Sequence, residues 1–76
     1  MEISPDDFVI EDCTRGGYNL GSQDYGFLGN FTEMDNALIA FKGWCKENNY
    51  FPSLYFMSDH GNLTPIDYDG NEIKTD

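Results

Sequence analysis

A chain of seventy-six residues, 39% hydrophobic and 16% aromatic, with fourteen Asp and Glu against four Lys and Arg, has room for one domain and one core and carries a formal net charge of −10. A surface this negative repels phosphate backbones and anionic lipid, which disfavours direct binding of nucleic acid or membrane and favours a basic protein surface as partner. No apolar run is long enough to cross a membrane, and no basic start leads into an apolar stretch as in a signal peptide, so a soluble, cytoplasmic protein is expected.

Residues 1–76 read as a single domain, with 1–7 and 73–76 expected to be mobile ends. After Pro5 and two acids, Phe8-Val9-Ile10-Glu11-Asp12-Cys13 has the β-branched and aromatic content of a strand. Gly16-Gly17 supplies the positive φ angles of a tight hairpin turn. Tyr18 to Leu20 begins the return, and Gly21 to Asp24 reads as a turn or bulge. Tyr25, Phe27 and Phe31 recur at period two on one face, with Gly29 interrupting the stripe. Two or three antiparallel strands therefore precede the helix.

Thr32 is placed to cap that helix, with Asp35 three residues on as the acidic partner of a capping box. Met34, Ala37, Leu38, Phe41, Trp44 and Cys45 follow at spacings of three and four and form one apolar stripe. Glu33 and Asp35 in the first turn, and Lys42 and Lys46 toward the end, complement the helix dipole. Asn48-Asn49 ends the helix, Pro52 forbids its continuation, and Gly43 is either a close contact or a tolerated surface glycine.

In Ser53 to Ser58, Leu54 and Phe56 face one way and Tyr55 and Met57 the other, which predicts a central strand or an outer face meant for a partner. Asp59-His60-Gly61-Asn62 is a turn by composition. Leu63 to Tyr68 pairs back as a hairpin, held to an edge or a bulge by Pro65, and Asp69-Gly70-Asn71 is a further turn. The predicted fold is α+β: an antiparallel sheet of four to five strands in the order β-β-α-β-β, with one amphipathic helix on one face.

Ten of the fourteen acids lie in two terminal blocks: Glu2, Asp6, Asp7, Glu11 and Asp12, and then Asp59, Asp67, Asp69, Glu72 and Asp76. The first nine of these are the candidate acidic binding surface. Tyr55 and Tyr68 are candidate aromatic contacts, because rings set among acids suit a basic groove on another protein. The competing readings are that the charge only keeps a small protein dispersed and that the tyrosines only cap a core.

Catalysis has little to build on. His60 beside Asp59 would need a nucleophile, and no nucleophile motif surrounds Ser58, Cys13 or Cys45. Asp67-Tyr68-Asp69-Gly70-Asn71-Glu72 resembles a fragment of a calcium loop, but Glu72 follows Gly70 by two positions where the EF-hand pattern needs six. No zinc spacing is present. The expectation is no enzyme, no cofactor and no metal. The two cysteines are expected as free thiols, and the Asn30 and Asn62 sequons are expected to be chance matches.

The segment Phe51-Pro52-Ser53-Leu54-Tyr55-Phe56-Met57-Ser58-Asp59-His60-Gly61-Asn62, preceded by a helix containing Trp44 and by Leu28-Gly29-Asn30-Phe31-Thr32, resembles a pattern in short phage and prophage proteins. The resemblance covers about half the chain and assigns no residue a role. At the level of class it implies a small acidic inhibitor of host defence, such as an anti-CRISPR protein or DNA mimic. The function expected is inhibition or modulation of a host nucleic-acid-binding protein through its basic surface, in the cytoplasm of the bacterial host, by a monomer or small homo-oligomer. The rival expectation is a structural or self-assembling protein using an aromatic or sheet-edge interface.

Overall fold

The computed structural model describes residues 3–74 and comprises five strands and one helix. Strands β1 (Phe8–Cys13), β2 (Gly17–Ser22) and β3 (Gly26–Phe31) form a meander. Helix α1 (Met34–Asn48) crosses over the sheet, and β4 (Leu54–Met57) and β5 (Leu63–Ile66) complete it. The sheet order is β3-β2-β1-β4-β5. Every pairing is antiparallel except β1 with β4, which is parallel, with Phe8 opposite Leu54.

The sheet is therefore mixed and the order is β-β-β-α-β-β, which corrects the antiparallel β-β-α-β-β expectation. One extra strand accounts for both differences. Three strands leave β3 running in the direction of β1, and the helix carries the chain back to the end where β1 starts. A strand laid beside β1 from there must be parallel to it, whereas two strands before the helix would have reversed it.

The side chains of β1 alternate cleanly. Phe8 and Ile10 are fully buried under the helix, while Val9 and Glu11 point to the opposite face. The core joins Phe8, Ile10, Leu20, Leu54 and Ile66 of the sheet to Ala37, Leu38, Phe41 and Cys45 of the helix. Met34 and Trp44 flank it, as the helical spacing predicts. The Phe8 ring lies 5.2 Å from Phe41 and 4.6 Å from Trp44, and Tyr68 meets Phe41 edge-on at 4.8 Å. A chain this short buries only about 60% of its unfolded surface, so these large rings supply much of the area that stabilises it.

The helix start differs from the expectation. Glu33, in extended conformation, holds the N-cap position, and its side chain makes no capping hydrogen bond. Thr32 lies one residue too early to act. The predicted end holds: Asn49 takes the left-handed conformation (φ 50°) and its N–H reaches the carbonyls of Cys45 and Lys46.

A bulge between Leu20 and Gly21 in the β2–β3 pairing sets Gly29 opposite Leu20 and Phe27 opposite Gly21, leaving Leu28 as the extra residue. This reverses the facing of what comes before it. Phe31 packs against the core, whereas Phe27 points away from the helix and is 68% exposed. Tyr25, Phe27 and Phe31 consequently do not share one face. Gly21 is required at the bulge: a Cβ there would stand 2.8 Å from the Gly26 carbonyl oxygen.

The ends described are tied to the sheet. The Asp7 N–H bonds the Ser4 carbonyl, the Asp24 N–H bonds the Pro5 carbonyl, and the Ile73 N–H bonds the Pro65 carbonyl.

Candidate protein-docking face

With one helix and one sheet, one face of the sheet is left uncovered. Its residues follow from the register. Phe27 faces Gly21, Gly21 faces Val9, Val9 faces Tyr55 and Tyr55 faces Pro65, a single row across all five strands. Ile73, bonded to Pro65 through its backbone, extends this row by one residue. The next row is Asn30, Asn19, Glu11, Met57 and Leu63. Asn30 Nδ2 donates to Asn19 Oδ1 at 2.7 Å, closing the polar end of that row. The uncovered face thus carries an apolar band, the row from Phe27 to Ile73 with Met57 and Leu63, bordered by Asn19 and Asn30 and with one carboxylate, Glu11, beside it.

The band is not flat. Position 21 on β2 carries no side chain and position 19 carries a short one, so a shallow groove runs along β2. Phe27 forms one wall, Val9 and Met57 form the other, and Glu11 stands over it. A second depression, between Tyr55, Pro65 and Ile73, lies on the same face.

The register also places the acids. Asp6 and Asp7 precede β1 at the same end of the sheet where Asp67 follows β5 and Asp24 leads into β3. Glu11 and Asp12 lie toward the other end, where Asp59 follows β4 and Glu33 follows β3. Asp7 and Asp12 are about 17 Å apart along an extended strand. The two terminal blocks thus do not form one patch: each is divided between two acidic poles, with the apolar band between them. Glu72 bridges Ile66 on the helix side of the sheet. Asp69 lies 3.6 Å from Lys42 of the helix. Glu2 and Asp76 lie outside the described residues.

Several of these acids have structural partners. The Tyr50 hydroxyl donates to Asp6, and that bond to a carboxylate, aided by partial burial, pushes the Tyr50 pKa up to about 12. Asp67 Oδ1 accepts the N–H groups of Asn71 and Asp69, each at 2.9 Å. Those backbone bonds, that from Asn71 foremost, lower its pKa below the ordinary carboxylate value. Asp67 therefore closes a turn, as its composition predicts. Among the described residues no group of three or more His, Cys, Asp and Glu is placed to hold a metal ion.

The two candidate aromatics part company. Tyr55 sits in the middle of the uncovered band. Tyr68 turns inward, its hydroxyl donating to the Pro52 carbonyl at 2.5 Å, its ring on Phe41, and burial raising its pKa to about 12. His60 is an exposed turn residue 3.6 Å from Asp59, and the turn is closed by bonds between Ser58 and Asn62. Cys45 is buried, which raises its thiol pKa, and Cys13 is half-buried at the end of β1.

Val9, Phe27, Met57, Leu63 and Ile73 escaped the sequence reading as site residues. The signal was present in part, since Leu54 to Met57 is apolar at both parities. The facing of Phe27 was hidden by the bulge. Among the described residues no helix is long and apolar enough to cross a membrane. Comparison with family models, curated proteins and solved structures found no match to this chain.

Proposed function

We propose that this domain is a small acidic binding protein that occupies a basic, nucleic-acid-binding surface of another protein and thereby inhibits or modulates it. The observation that carries this reading is the shortage of internal countercharge. Fourteen acids face four Lys and Arg, and among the described residues the one Lys or Arg paired with an acid is Lys42, with Asp69. Carboxylates left free at both ends of a body about 32 Å across present separated negative charge, as successive phosphates do on a duplex. The resemblance to short phage proteins is consistent with a host protein as target.

The test is capture of partners from a bacterial lysate, with release by duplex DNA as the deciding step. The expected partner binds tightly at low salt, weakens steeply as salt rises, and is displaced by the DNA. A partner that ignores both salt and DNA would overturn the reading. Replacing Asp12, Asp24 and Asp59 with Asn removes charge from both poles without touching the Asp6 and Asp67 bonds that hold the fold. The triple variant is expected to melt like the parent and bind at least tenfold more weakly.

A self-assembling protein is the second reading, and one observation favours it. Strand β3 forms one edge of the sheet, and its six residues, Gly26 to Phe31, include no charge and no proline. The opposite edge is blunted by Pro65 and by the chain from Asp67 to Ile73 folding back on β5. Light scattering separates the two: a monomer at high concentration and high salt removes the second reading.

A further inference from the structure

We infer that the groove along β2 on the uncovered sheet face receives a basic amphipathic helix of the partner protein, its apolar side between Phe27 and the Val9–Met57 wall and a lysine or arginine on Glu11. This rests on the reading of the domain as a binder of basic proteins and adds where the partner is gripped, and by what.

Three observations select that occupant. The first is charge. Glu11 stands at the groove, exposed, with no ion-pair partner among the described residues. The groove runs along the strands: one mouth opens near Asp24, and the other lies beside the β1–β2 turn, which carries Arg15, with Glu33 after β3 and Asp59 after β4 to either side. A segment with a cation over Glu11 and others reaching Asp24, Glu33 and Asp59 is complementary to these carboxylates. A second copy of the chain is not, because the two rows of its own face offer Glu11 no lysine or arginine and stacking would join two bodies of charge −10.

The second is backbone chemistry. In the interior of a sheet the N–H and C=O groups lie in its plane and bond neighbouring strands. An extended segment laid on this face would find no backbone partner and would leave its own polar groups against apolar side chains. A helix satisfies its backbone internally and offers side chains alone, which is how α1 covers the other face. The third is size. Phe27 and Val9 stand in one row on either side of Gly21, two strand spacings or roughly 10 Å apart, which is about the diameter of a helix with its side chains, and Met57 lies one row further along.

The probe is a synthetic helix of leucines on one side and lysines on the other, titrated into the isotope-labelled full chain and followed by amide chemical shifts and by the helicity of the peptide. The expected result is gain of helix by the peptide and shifts concentrated on Val9, Glu11, Asn19, Gly21, Phe27 and Met57. Phe27→Ala and Glu11→Lys should each weaken binding about tenfold or more with unchanged melting, since both side chains are exposed. Three controls decide. A scrambled peptide of the same composition binding equally well overturns the groove assignment. Shifts confined to the poles or to β3, with Phe27→Ala silent, overturn it too but leave the acidic-binder reading standing. A chain that binds neither this peptide nor any basic protein at low salt overturns both.

Discussion

The two faces of the sheet are built from the same strands, one residue out of step, and they differ in what covers them. On the helix side, Phe8, Ile10 and Leu20 are wholly buried against Phe41 and its neighbours. On the other side, Val9, Tyr55 and Met57 stay partly open and Phe27 largely so. An antiparallel or mixed sheet with one solvated face ordinarily shows polar residues there. The uncovered face of this protein instead carries an apolar row from Phe27 to Ile73. Stability and the proposed binding thus fall on opposite sides of a layer one residue thick, so that substitutions on each side are expected to have separable consequences.

The sharpest way to break that contrast is to empty the covered side. Phe41→Ala removes a fully buried ring and is expected to cost about 3–5 kcal/mol, close to the whole stability of a domain of this size. Denaturant titration should find the variant largely unfolded. A folded variant with a small shift would mean that the helix is not the principal cover of the core.

A smaller effect is expected from pH, acting where the covered side is closed at its edge. Tyr50 has a folded pKa of about 12, above its ordinary value near 10, because its protonated hydroxyl donates a hydrogen bond to the Asp6 carboxylate. Its contribution to stability is complete below about pH 10 and disappears as pH rises through its folded pKa. Asp67 has the opposite sign. Its lowered pKa stabilises the fold above roughly pH 4, the unfolded carboxylate value, and the benefit fades as pH falls toward the folded one. Melting temperatures across pH should decline at both extremes. Tyr50→Phe should abolish its part of the alkaline decline, and Asp67→Ala its part of the acid decline.

The smallest change is expected on the open side. Phe27→Ala should alter stability by no more than about 0.5 kcal/mol, as for surface positions generally, while removing a wall of the proposed docking groove. Substantial destabilisation would show Phe27 to be a structural residue and return the uncovered face to the core.

Much of the covered side was legible from the chain. The three-and-four spacing from Met34 to Cys45, the strand Phe8–Cys13, the opposed pairs Leu54/Phe56 and Tyr55/Met57, the edge position of the Pro65 strand and the turns near Asp59 and Asp69 all follow from local rules of period, propensity and turn chemistry. The helix N-cap falls one residue later than composition predicts: Thr32 is the better capping residue, and Glu33 takes the position. The acidic blocks were visible as blocks and not as poles. Acids of one block a few positions apart, such as Asp7 and Asp12, are carried to opposite ends of the sheet by an extended strand, and distant ones are brought level by the pairing of β1, β4 and β5.

The sequence by itself determined the charge, the helix, the turns and which residues could serve a core, because each depends on residues a few positions apart. Tertiary structure alone decided three things: that β4 runs parallel to β1, that the acids divide between two ends, and that Phe27 joins Val9, Tyr55 and Ile73 on one uncovered face. Each turns on a count that local chemistry does not hold. One strand more reverses a direction, and one bulged residue reverses a face.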